Sequence, residues 1–206
     1  MTATSTTLLA AISSRADTTG SAGAIKAASV VFMAVLTAAA AQVSVPLPFT
    51  PVPLTFQPMM VLLTALVLGA RLGAASQVMY LAAGVAGLPV FAGSVTLPPG
   101  ALRLLGPTGG YLLAYPLAAY LTGALAERGF DRRYLTSVLS MLAGLAVIYA
   151  GGVLWLGLFA STLSGGAAIG VGAAFASGVL PFVLADVFKL VLAAGVVPSL
   201  WRLIGR

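Results

Sequence analysis

Apolar residues in this chain fall into six runs separated by proline, glycine or charge. The first covers about Ala24 to Val45, with Lys26 near its start. The second, Gln57 to Leu68, carries Pro58 in its first turn, where a missing N–H is tolerated. It is short of the roughly 20 residues a bilayer crossing needs. Gly69-Ala70-Arg71-Leu72-Gly73 reads as a tight turn into a third run, Ala74 to Leu88. That run stops before Pro89, because the residue before a proline is pushed out of helical geometry. The fourth opens at Pro107-Thr108-Gly109-Gly110-Tyr111 and ends near Ala126. The fifth covers Leu135 to Phe159, and the sixth runs from Val179-Leu180-Pro181 to about Trp201. Residues 161–177 are Gly/Ala/Ser-rich and uncharged, with room for a short surface helix.

Between the first two runs the pattern changes. Prolines at 46, 48, 51, 53 and 58 forbid a helix and favour extended backbone. The stretch has no charge. An uncharged, stiff, non-helical segment between two spans must sit at the interface or against protein. It reads as a lid over a cavity or as a rigid connector.

Composition turns these runs into membrane spans. The chain is 60% hydrophobic and 7% charged, with a mean hydropathy of +1.10. A soluble domain carries about 25% charge. The expectation is an all-α membrane protein: a flexible Ser/Thr/Ala-rich tail over residues 1–23, then one helical domain over 24–206. Ala39-Ala40-Ala41 behind Lys26 mimics a signal-peptide cleavage site, but the apolar run is long enough to read as a span.

Charge placement sets orientation. With six transmembrane helices, one side carries Arg15, Lys26, Arg71, Arg128, Arg132, Arg133, Arg202 and Arg206, and the other only Arg103. Eight against one puts both termini on the cytoplasmic side. The proline stretch, the loop around Arg103 and the Gly/Ala loop then lie outside.

Several chemistries are excluded. The chain has no Cys and no His, which removes the usual zinc sites and Ser-His or Cys-His machinery. Of the four acids, Asp17, Glu127, Asp131 and Asp186, only Asp186 lies inside a span. No Walker A sequence occurs. Aromatic and basic residues do not interleave outside the spans, which speaks against nucleic acid. A binder or carrier is expected, not an enzyme, with no cofactor and no metal.

Asp186 and Lys189 are the exception inside the sixth span. At i and i+3 they share one helix face. At membrane depth each must pair or face a polar cavity. Entering from outside, Asp186 lies about five residues past Pro181, roughly 8 Å into the helix. The alternative is a salt bridge that only neutralises itself between packed helices. Asp186 accepts hydrogen bonds and Lys189 donates them, so a ligand with N–H donors and a carboxylate suits both. Gln57 can donate and accept, or cap its helix. Thr108 and Tyr111 lie at the mouth of the fourth span, where Tyr111 is equally an interfacial anchor. Gly109-Gly110 lets backbone approach a ligand or another helix. Phe91 offers an apolar wall, while Tyr80 suits the core better. Arg103 is an alternative carboxylate partner from outside, or a solvated loop charge. Ala34 and Ala38 have the small-xxx-small spacing of close helix contacts.

At these residues the chain resembles BioY proteins. Val45-Pro46-Leu47-Pro48 and Thr50-Pro51-Val52-Pro53-Leu54-Thr55-Phe56-Gln57 are similar to their first outer loop. Leu68 to Gly73, Tyr80 to Gly93, Gly106 to Tyr111, Leu180-Pro181-Phe182 and Asp186-Val187-Phe188-Lys189 fit in order. The resemblance implies the S-component fold of energy-coupling factor transporters in a prokaryotic cytoplasmic membrane. It implies biotin held in the outer half, beneath the first outer loop. It further implies a transmembrane coupling subunit of the EcfT or BioN kind, met through Ala34 and Ala38, and ATPase subunits of the EcfA or BioM kind. The ligand set it suggests is Asp186, Lys189, Gln57, Thr55, Phe91, Gly93, Thr108, Gly109, Gly110 and Tyr111. Members often add an Asn near the outer loops. This chain has none, so Gln57, Thr108 or backbone groups must serve. Rival readings are an S component for another vitamin and a non-transporting assembly protein in which Asp186 and Lys189 merely pair.

Overall fold

The structure is a computed structural model that describes residues 7–11, 21–94, 97–160 and 167–204. It is built from helices: α1 (Ala22–Gln42), α2 (Gln57–Leu68), α3 (Ala70–Val85), the short α4 (Leu102–Leu105), α5 (Gly109–Leu125), α6 (Tyr134–Trp155), α7 (Val171–Gly178), α8 (Val183–Ala193) and α9 (Val196–Leu203). Single π turns extend α5 over Ala126–Phe130 and α6 over Leu156–Ala160. By length and hydropathy, the stretches Ala22–Gln42, Tyr134–Ala160 and Val183–Leu203 can each cross a membrane. The shorter Gln57–Leu68 is equally apolar.

Helix α5 lies at the centre and packs against α6, α3 and α2. Glycine permits the close approach. A Cβ at Gly123 would overlap the backbone of Gly69 and Ala70, and one at Gly144 would overlap Thr122 and Leu62. Leu62, Leu66, Tyr80, Met141, Ile148 and Leu190 fill the core.

The third helix starts four residues earlier than its apolar pattern suggests. Gly69 makes the whole turn at φ +83°, and Arg71 to Gly73 are already helical. The Glu127 carboxylate accepts the Ala70 N–H at 2.9 Å, satisfying a donor that a helix start otherwise leaves open. That charge comes from the far end of α5, so local sequence cannot reveal it. The sixth run is two helices, α8 and α9, broken at Ala194–Gly195.

Part of the expected tail is ordered. Residues 8–11 form a helical turn in which Leu8, Leu9 and Ala11 are buried. The rest of it, residues 1–6 and 12–20, lies outside the described residues, as do Val95, Thr96 and residues 161–166.

The proline stretch is extended as expected, and its ends are joined. Ser44–Val45 pairs antiparallel with Leu54–Thr55. The prolines between them therefore form a closed flap.

Candidate functional site

A single helix face brings the two membrane charges inward. On α8, Leu184, Phe188 and Leu192 recur every four residues and are exposed, as a lipid-facing stripe should be. Asp186, Lys189, Leu190 and Ala193 occupy the buried side. Lys189 Nζ lies 2.5 Å from Asp186 Oδ1. It also donates to the Thr55 carbonyl oxygen at 2.6 Å. The second carboxylate oxygen, Oδ2, accepts the Tyr149 hydroxyl at 2.7 Å. Each oxygen of Asp186 thus has one protein donor and spare acceptor capacity.

Asp186 opens onto a cavity of about 730 Å³, within the range of small-molecule sites. The proline flap roofs it through Pro46 to Thr55. The segment Phe91–Ser94, Arg103 and Thr108 form one wall. Tyr111, Tyr115, Ile148 and Tyr149 form another. Among the described residues, Asp186 and Arg103 are the charged groups lining it.

A polar chain fastens the floor. The Gln57 amide donates from Nε2 to the Tyr80 hydroxyl at 2.6 Å, and that hydroxyl donates to the Val90 carbonyl at 3.1 Å. Thr55 Oγ1 lies 3.3 Å from both Gln57 Oε1 and the Gln57 N–H. Tyr80 meets Phe91 edge-on and stacks on Tyr115. Thr50 Oγ1 donates to the Ser177 carbonyl at 2.8 Å and holds the flap to α7, while Gln42 Nε2 at the end of α1 donates to the Pro89 carbonyl at 3.2 Å. Arg103 is fixed by the Ala92 and Pro98 carbonyls, and partial burial pulls its pKa down.

Of the residues the sequence singles out, Asp186, Gln57, Thr55, Phe91, Gly93, Thr108 and Tyr111 line this cavity. Three do not. Lys189 stands behind Asp186. Gly109 and Gly110 serve packing: a Cβ at Gly109 would overlap the Leu104 carbonyl, and one at Gly110 would overlap Trp155 and the Gly151 carbonyl. Tyr111 reaches past Gly152 to donate to the Gly178 carbonyl at 2.9 Å. Ala34 is buried and Ala38 packs on the core, where their small size lets α1 close on α2 and α3. The exposed stripe of α1 is instead Ala27, Val31, Val35 and Ala39. Sequence reading missed Tyr149. Its hydroxyl within an apolar span was a signal, since such a group needs a partner there.

The BioY family profile matches residues 10–206. The chain belongs to the BioY family. Its BioY relatives include a probable biotin transporter BioY of Pyrococcus horikoshii, 44% identical over 158 residues, covering 77% of this chain and 85% of that one. The biotin transporter BioY of Thermotoga maritima is 39% identical over 72% of this chain and 80% of its own length. In three dimensions this BioY chain is similar to the crystal structure of the S-component for biotin from an ECF-type ABC transporter. The TM-score is 0.73 at 26% identity, covering 86% of this chain and 90% of the other. It is a membrane-embedded transport component with an S-component fold.

Proposed function

We propose that this chain captures biotin as the S component of an ECF-type importer. The observation that carries the reading is the Asp186 carboxylate, held by Lys189 and Tyr149 and open to a flap-covered cavity. A cyclic urea offers two N–H donors to such an acceptor, and a water-poor site strengthens the bond. Tyr115, Phe91, Ile148 and the flap prolines suit the apolar bicycle and arm. The bound set would be Asp186, Gln57, Thr55, Phe91, Gly93, Thr108 and Tyr111, with Lys189 holding Asp186 from behind.

Six spans, with both termini cytoplasmic, agree with the arginine asymmetry. The flap then faces outward and biotin enters beneath it. The chain has no Walker A sequence, so any ATP that drives transport is hydrolysed by partner ATPases acting through a coupling subunit. We assign that contact to α1, whose exposed side carries Ala27, Val31, Phe32, Val35 and Ala39.

The test is a vitamin panel against the purified chain in detergent. Biotin is expected to raise the melting temperature and bind tightly, while thiamin and riboflavin do neither. A shift by another vitamin alone would overturn the reading. Radiolabelled biotin uptake with and without the ATPases then decides whether partners are required.

A further inference from the structure

The cavity is electrically two-ended. Asp186 sits in its buried floor, and Arg103, partly exposed, in the wall it shares with Phe91–Ser94 and Thr108. Every other described residue lining it is neutral. Lys189 does not compete for a ligand anion, because its ammonium is engaged by Asp186 and the Thr55 carbonyl.

Arg103 is prepared for an anion. Its Nε donates to the Pro98 carbonyl at 3.1 Å and its Nη1 to the Ala92 carbonyl at 2.8 Å. Those two bonds fix the plane of the guanidinium while leaving three of its five N–H groups. No described carboxylate forms an ion pair with it. A fixed, partly desolvated guanidinium with N–H groups to spare is a carboxylate receptor, since planar donors match that anion.

We infer that Arg103 is a specificity-determining residue that takes the ligand's carboxylate, so that the site selects free acids over their neutral esters and amides. This deepens the biotin reading and rests on it. The urea end goes to Asp186 on the floor, and the valerate arm runs up the apolar wall to Arg103. Binding polarity follows: the ring is deepest, and the carboxylate is nearest the mouth.

The experiment compares biotin with biotin methyl ester, which keeps the bicycle and arm but loses the charge. Dissociation constants are measured by calorimetry for the wild type, Arg103→Gln and Arg103→Lys. The wild type should favour the acid by about tenfold or more, the scale of one charge-assisted contact. Arg103→Gln should reduce that preference to near unity, and Arg103→Lys should keep part of it. Loss of the guanidinium also removes its bonds to the Ala92 and Pro98 carbonyls, but this weakens acid and ester alike. The ratio, not either affinity, therefore carries the result. Raising salt should shrink the wild-type ratio and leave the Arg103→Gln ratio unchanged. Tight biotin binding with equal ester binding, or a preference that survives Arg103→Gln, overturns the assignment while the biotin reading stands. Failure of the wild type to bind either compound sinks both.

Discussion

Lys189 Nζ donates to the backbone carbonyl of Thr55 at 2.6 Å, across 134 residues of sequence. The same ammonium neutralises Asp186. One side chain therefore ties the last spanning element to the end of the proline flap and sets the charge of the cavity floor. A ligand that draws on Asp186 acts on a group already coupled to the flap.

Replacing Lys189 with Met should strand the carboxylate. Removing one partner of a buried ion pair costs about 3–5 kcal/mol, because the remaining charge is uncompensated. A large fall in melting temperature in detergent, together with loss of biotin binding, is expected. The double variant Asp186→Asn/Lys189→Met should recover most of the stability and none of the binding. Recovery of both would mean the pair is only structural.

Tyr149→Phe removes the hydroxyl that holds Asp186 Oδ2 and nothing else. Hydrogen bonds to charged groups contribute about 1.5–3 kcal/mol. Because the carboxylate keeps Lys189, the melting temperature should fall by less than in Lys189→Met. The biotin dissociation constant, by calorimetry, should rise about tenfold.

Gly152→Ala places a methyl group into the Tyr111 ring. Tyr111 must then give up its bond to the Gly178 carbonyl or push α5 from α6. Overpacking of this kind costs about 1–3 kcal/mol. Melting curves should show the loss. Adding Tyr111→Leu should relieve much of it.

Asp131 provides a pH readout at the arginine-bearing end. Its Oδ2 accepts the Trp201 indole N–H at 2.7 Å, and Oδ1 lies 3.6 Å from Arg132 Nε. The Arg132 guanidinium rests 3.8 Å over the Trp201 ring. Burial outweighs these contacts and raises the carboxyl above its ordinary 3.8. The folded chain then holds this proton more strongly than the unfolded one. Stability should fall as pH rises from about 3.8 through the raised value, and level off above it. Melting temperatures across that window should show the slope, and Asp131→Asn should flatten it.

The helices and the charged pair were legible because a bilayer allows few alternatives. Backbone groups in oil must bond within their own segment, so long apolar runs become helices. Charges in oil must turn inward, which places Asp186 and Lys189 on the buried face of α8. Closely spaced prolines exclude a helix from the flap whatever packs against it. The small residues were harder to read. Gly109-Gly110 and Ala34 look alike as sequence, whether a ligand or a helix stands opposite, and here helices do.

From residue order alone follow the six apolar runs, a stiff non-helical proline stretch, the arginine asymmetry and a lone pair of charges in the last span. All of these rest on interactions within one segment or with the surrounding solvent. Only the tertiary structure decided that Tyr149 shares Asp186, that Lys189 stands behind it rather than in the cavity, and that Glu127 caps α3. It also decided that Arg103 shares the cavity with Asp186. These depend on which helices meet and at what depth, and such meetings are fixed by close packing between segments far apart in the chain.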